Sequence, residues 1–254
     1  MRSTLPASPW FSCPRPTPAA QLRYWGMPYA GGGAAVWHPW AARLSPVAEL
    51  VAIRLPARES RLAEPPATDL LALARELATA IAPHTHEPYA LGGHSMGALL
   101  AFEITRELRR RGLPLPLALI ASGARAPDCP RTEPDLHHLP DDDFIREVDQ
   151  RYQGIPPALL ANREFLDLFL PALRGDLTAF ETYRHQPEPP LDLPVLSLRG
   201  DRDLRASEPQ ALAWRAHTTG DFLSATFSAG HFFLPDQIEA VTGKMRAFLA
   251  RAVT

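Results

Sequence analysis

Cysteine is scarce in this 254-residue chain: there are two, Cys13 and Cys129, and they form no C-x-x-C pair. That argues against a zinc site and for a reduced, cytoplasmic setting. An excess of one charge is also missing. The net charge is −2, so nothing directs the chain to nucleic acid or to an acidic membrane surface. No apolar run approaches the roughly 18 residues of a membrane span. The first residues have no continuous apolar stretch but carry Pro6, Pro9, Pro14, Pro16 and Pro18, so no secretory leader is expected. There is no internal repeat. What is present is ordinary apolar content, enough for one α/β domain or one with a sizeable insertion.

The stretch Tyr89-Ala90-Leu91-Gly92-Gly93-His94-Ser95-Met96-Gly97-Ala98 organises the rest. Tyr89 to Leu91 reads as a buried strand and Ala98 to Arg111 as a helix, with a G-x-S-x-G match between them. In a strand–turn–helix setting this pattern is a nucleophile elbow, in which the serine takes a strained backbone conformation. Gly93 and Gly97 lack the Cβ atoms that would clash in so tight a turn. Ser95 is therefore the candidate nucleophile. The Met96 N–H, at the positive end of the following helix, is a candidate oxyanion donor.

Upstream, Leu22 to Met27 reads as a first strand, followed by Pro28-Tyr29-Ala30-Gly31-Gly32-Gly33. The spacing lacks both G-x-G-x-x-G and a Walker lysine, so the turn is read as the second half of an oxyanion hole, with Ala30 the donor. Ala34 to Leu44 reads as a short helix, and Glu49 to Leu55 as a strand ending in Pro56-Ala57-Arg58-Glu59-Ser60-Arg61. That charged segment is expected to be a solvated connection, the alternative being a substrate-side loop. Asp69 to Ala82 has a helical apolar period with Asp69 as N-cap, and Leu117 to Ala121 is another strand. The order β-α-β-α-β-α-β predicts a mainly parallel sheet with helices on both faces.

From Pro127 to Pro190 strand signals stop. Asp141 to Tyr152 and Glu164 to Tyr183 read as helices, the second apolar nearly all round, which requires burial or something greasy to cover. The expected organisation is a Pro-rich segment (1–20), a core (21–126), a helical lid (127–190) and the rest of the core (191–254). Pro194 to Arg199 is a late strand followed by Gly200-Asp201-Arg202-Asp203, where a triad acid belongs. Asp203 has the G-x-x-D spacing and is preferred, with Asp201 left open. The strand Phe222 to Phe227, the turn Ser228-Ala229-Gly230-His231 and a helix from Asp236 to Ala252 follow. Of nine histidines, His231 alone lies on a glycine-preceded turn after the final strand. His94 is read as a packing and hydrogen-bonding residue, and His185 and His217 as surface residues. The chain order Ser95, Asp203, His231 is that of α/β-hydrolases.

Several blocks in order resemble one family: Pro28-Tyr29-Ala30-Gly31-Gly32, Pro56-Ala57-Arg58-Glu59, Gly93 to Glu103, Leu170-Pro171-Ala172-Leu173-Arg174-Gly175-Asp176, and Gly230-His231-Phe232-Phe233-Leu234. They look like the discrete type II thioesterases that accompany modular polyketide and nonribosomal peptide synthases. The likeness runs from about Trp10 to the C-terminus. Tyr29 departs from a frequent histidine, Ala57 from a usual glycine and Gly175 from a common alanine. The resemblance implies an α/β-hydrolase fold with a helical lid and no metal or cofactor. It also implies an editing activity that removes aberrant or stalled acyl groups from the phosphopantetheine arm of carrier proteins. The oligomeric state is left open, a monomer being one reading. Because carrier proteins are commonly acidic, Arg106, Arg109, Arg110 and Arg111 are a candidate docking patch, the alternative being a solvated helix C-terminus favoured by its dipole. The rival readings are an oxoester-cleaving carboxylesterase or lipase, an acyltransferase with the same triad, and an inactive hydrolase fold used for binding.

Overall fold

The computed structural model describes residues 3–155, 160 and 162–253. Among them seven strands form one sheet: β1 (Phe11–Ser12), β2 (Leu22–Met27), β3 (Ala48–Ile53), β4 (Tyr89–His94), β5 (Leu119–Ser122), β6 (Val195–Gly200) and β7 (Phe222–Phe227). Their spatial order is β1-β3-β2-β4-β5-β6-β7. β1 pairs antiparallel with β3, and the other pairings are parallel. The helices are α1 (Ala41–Leu44), α2 (Leu70–Ile81), α3 (Met96–Arg110), α4 (Asp141–Tyr152), α5 (Arg163–Thr182), α6 (Glu208–Leu212), α7 (Phe233–Asp236) and α8 (Ile238–Val253).

The apolar runs form strands because both faces of the sheet are covered, as parallel sheets require. Alternate residues along each strand enter opposite layers. Trp25, Met27, Val51, Ile53, Leu91 and Leu119 join α2 and α3 on one face. Leu22, Tyr24, Leu50, Ala90, Ile120 and Leu196 join Trp37, Trp40 and α8 on the other. α2 buries Leu70, Leu73, Ala74, Leu77, Ala78 and Ile81 along one stripe, and the Asp69 carboxylate caps it by accepting the Ala72 N–H at 2.9 Å. Central β4, between β2 and β5, is buried throughout and carries its C-terminal end to the site.

Two expectations about the elements change. The N-terminal segment contributes β1, whose two residues pair with β3, while Phe11 stands edge-on to Trp25 at 5.1 Å. Residues 34–44 open with a 3-10 turn over Ala34–Trp40, containing Pro39, before α1.

Between β5 and β6 the chain leaves the sheet and builds α4 and α5, with no strand among the described residues of 127–190. Phe144, Ile145, Val148, Leu166, Leu170, Leu173 and Leu177 form a third apolar cluster there. The apolar surface of α5 is thus partly satisfied by packing. Phe165 and Leu168 remain 50% and 58% exposed. Among the described residues, no helix is long and apolar enough to cross a membrane.

The segment 56–61 is not a solvated connection, because Arg58 and Arg61 are both buried. Arg61 lies over the Trp10 ring at 3.7 Å and is paired with Glu64 at 2.6 Å. Ala57 holds φ +62°, the left-handed region where a Cβ is unfavourable by about 1–2 kcal/mol. Ala57→Gly relieves that strain but makes the unfolded chain more flexible. The expected net gain is about 0.5–1 kcal/mol, a rise of about 1–4 °C in Tm by scanning calorimetry. An unchanged or lower Tm would mean that contacts of the buried methyl outweigh the strain.

Candidate active site

The elbow is dictated by space. Ser95 sits between β4 and α3 with φ +55° and ψ −119°, a conformation serine rarely adopts. A Cβ on Gly93 would lie 2.4 Å from the Gly97 carbonyl carbon, and one on Gly97 would lie 2.4 Å from the Met27 carbonyl oxygen. Only glycine at both positions lets the turn nest against the end of β2. The Ser95 N–H is anchored to the Ser122 carbonyl at 2.8 Å, which ties the turn to β5 as well.

The loop after β6 brings a carboxylate to the candidate site. His231 Nδ1 meets Asp203 Oδ2 at 2.9 Å, and both side chains are buried. Asp203 Oδ1 accepts the Arg205 N–H at 2.7 Å, so both carboxylate oxygens are engaged. Asp201 takes a different part: its Oδ1 accepts the Ala229 N–H at 3.0 Å and its side chain is 43% exposed. It supports the turn that carries His231 and does not meet the ring. Gly200 is required here too, since a Cβ would lie 2.4 Å from the carbonyl oxygens of Ala229 and Gly230.

His231 Nε2 is buried and has no hydrogen-bond partner among the described residues. It lines the same cavity as Ser95. With Nδ1 facing a carboxylate, the neutral ring carries its proton there, leaving Nε2 with a free lone pair toward the cavity. His94 is fully buried, with Nδ1 3.0 Å from Ser122 Oγ, so its packing and hydrogen-bonding role stands. In addition its ring is centred 5.0 Å from that of His231, a contact that its place in the motif does not reveal. Burial above all, and then the nearness of His231, hold its pKa well below the ordinary histidine value. His94 therefore stays neutral and does not oppose a positive charge on its neighbour.

Two backbone N–H groups are left over at this point. Neither Ala30 N–H nor Met96 N–H donates to another group among the described residues. Ala30, Ser95, Met96 and His231 all line one cavity of about 240 Å³. Val148, Tyr152, Phe169, Leu173, Leu177 and Phe180, from α4 and α5, supply much of its apolar wall. Tyr152 lies 5.8 Å from the His231 ring, centroid to centroid, and burial raises its pKa, so it stays a neutral phenol.

Other sequence expectations land elsewhere. The four arginines at the end of α3 are not a free cationic patch. Arg106 is buried and paired with Glu103 at 2.6 Å and Glu188 at 2.8 Å. Arg109 and Arg110 also hold Glu188, and Arg111 holds Glu107 at 2.8 Å. Arg106, Arg109 and Arg110 clamp the segment returning to β6, whereas Arg111 ties α3 to α2 through Thr79 and the Arg75 carbonyl. His217 is not a plain surface residue, since it bonds Asp128 at 2.8 Å and packs on Phe102 and Trp214.

A family model, described as a thioesterase domain, matches residues 26–249. The gramicidin S biosynthesis protein GrsT of Aneurinibacillus migulanus is 35% identical over 245 residues, covering 95% of each chain. A Brevibacillus parabrevis protein named linear gramicidin dehydrogenase LgrE is 37% identical over 235 residues, covering 91% of this chain and 89% of its own length. The solved structure of the type II thioesterase BorB, from the borrelidin biosynthetic cluster, superposes with a TM-score of 0.87. It is 35% identical and covers 99% of this chain and 100% of its own. With an elbow, a carboxylate-held histidine and a cavity beside them on the same fold, the chain belongs to the thioesterase domain family, is similar to its discrete type II members, and is an acyl-thioester hydrolase of the α/β-hydrolase fold.

Proposed function

We propose that the chain frees the phosphopantetheine arm of carrier proteins from aberrant or stalled acyl groups, through an acyl-enzyme on Ser95. The observation that carries this reading is the free Nε2 of His231 at the Ser95 cavity, with Nδ1 locked by Asp203 at 2.9 Å. His231 takes the Ser95 proton as Oγ attacks the thioester carbon, and the carbonyl oxygen becomes an oxyanion between the Ala30 and Met96 N–H groups. Collapse of the intermediate breaks the C–S bond and expels the thiol, which takes the proton from His231. Water, deprotonated by the same nitrogen, then attacks the acyl-serine, and the carboxylic acid leaves as Ser95 regains its proton. Asp203 keeps the ring in the required tautomer throughout. A thiol of pKa about 8.5 departs far more readily than an alkoxide, which suits a thioester to so simple a site.

The helices of 127–190 act as a lid in this reading, because α4 and α5 supply much of the apolar wall beside Ser95. A cavity of about 240 Å³ falls just below the usual small-molecule range of about 300–1,000 Å³, which favours short acyl groups. Both cysteines are free, in keeping with work in the cytoplasm beside a synthase. Incubating an acetyl- or propionyl-phosphopantetheinyl carrier protein with the enzyme is expected to restore the free-thiol carrier, read by intact-protein mass spectrometry. An untouched carrier together with rapid cleavage of simple oxoesters would replace this reading with the esterase one. Acyl transfer to an added amine, with no free acid, would replace it with the acyltransferase one.

A further inference from the structure

The turn that presents Ala30 is held by a residue far along the chain. Asp176, on α5, is 1% exposed, and its Oδ2 accepts the Gly31 N–H at 2.8 Å. Both of its oxygens grip Arg58, at 2.7 and 2.8 Å. Arg58, itself buried, also donates to the carbonyls of Gly32 at 2.9 Å and Pro56 at 3.0 Å. Inside the turn, the Gly32 N–H returns to the Tyr29 carbonyl at 2.8 Å, and Gly31 holds φ +78°, the value of a type II turn.

These contacts decide where Ala30 N–H points. The Tyr29 carbonyl and the Ala30 N–H belong to one planar trans peptide and face opposite ways. With the carbonyl drawn into the turn, the N–H is directed out of it. A second contact of α5 reinforces the seat: a Cβ on Gly31 would lie 2.8 Å from the Phe169 ring. A buried carboxylate is tolerated only when its charge and lone pairs are met, and here Arg58 and the turn itself meet them.

We propose that Asp176 is a positioning residue for the oxyanion hole: through Gly31 and Arg58 it fixes the turn so that Ala30 N–H faces the developing oxyanion. Asp176 shares α5 with Phe169, Leu173, Leu177 and Phe180, which line the cavity, so the helix that contacts the acyl group also sets the readiness of the hole. This rests on Ser95 being the nucleophile.

Asp176→Asn preserves volume but weakens the charge-assisted bonds. With acetyl-pantetheine, kcat is expected to fall about 10–100-fold, short of the 10²–10³-fold cost of deleting a donor. KM should change by less than about threefold, the split that marks a contact made in the transition state. Affinity for propylboronic acid, whose tetrahedral adduct on Ser95 places an oxygen in the hole, should fall by the same factor as kcat. Affinity for the non-reacting thioether analogue should not change. If the asparagine variant does not fold, Arg58→Lys, which removes the forked grip, is expected to give the same pattern. Wild-type kcat, or a lowered kcat without matching loss of boronate affinity, overturns the proposal. Ser95→Ala run in parallel separates the two ideas, because surviving thioesterase activity there would sink the nucleophile and not the strut.

Discussion

Ser95→Ala is expected to lower kcat/KM for acyl-pantetheine by about 10⁴–10⁶-fold while leaving Tm unchanged. The loss follows from chemistry alone: without Oγ there is no acyl-enzyme, and catalysis is reduced to what two N–H donors and cavity binding supply. Stability is spared because the strain at φ +55° is borne by the backbone, and alanine carries the same Cβ as serine. The anchors of the turn, Ser95 N–H to Ser122 and the glycine contacts at 93 and 97, involve no hydroxyl. The measurement pairs a thiol-release assay with intact mass after rapid quenching, where wild type alone should show a transient acyl adduct. Activity within tenfold of wild type would remove Ser95 from the mechanism.

Much of the fold was legible because the central strands of the parallel sheet are buried on both faces and so read as largely apolar runs. The bounds of α4 and β7 follow the expected residues, and α2 follows its 3.6-residue stripe and its Asp69 cap. β1 was not legible. Two residues among prolines have no periodicity, and they become a strand only through pairing with Ile53 and Ala52 on β3. Likewise α3 begins at Met96, two residues before the apolar pattern suggests, because the elbow passes straight from the serine into the helix.

The site divides along the same line. Gly93, Ser95 and Gly97 form a local device, and their spacing carries its own sterics. His231 could be chosen by its place after the last strand. Arg58 and Asp176 are 118 residues apart, and nothing in either neighbourhood announces a buried pair. Charge near a loop was read as solvated, which is the commoner fate of such residues. The arginines of α3 misled for a related reason. A run of cations at a helix C-terminus looks like a free surface until Glu188, nearly 80 residues on, is folded back against it.

Asp203→Asn is expected to lower kcat about 10⁴-fold, and Asp201→Asn to leave it within about threefold. The backbone makes the first result specific. Arg205 N–H donates to Oδ1 at 2.7 Å, so an amide at 203 turns its carbonyl oxygen to that donor and its NH2 group to His231. The ring then accepts at Nδ1 and must carry its proton on Nε2, the atom that has to take the proton of Ser95. Geometry is retained and the tautomer is wrong. At 201 the Ala229 N–H, 3.0 Å away, can still be accepted by an amide oxygen, and the half-exposed side chain touches no part of the ring. The two variants, compared at equal active-site concentration with the same thioester, therefore separate the two carboxylates. Equal losses, or a greater loss at 201, would mean that the Asp203–His231 bond at 2.9 Å is not the one used in catalysis.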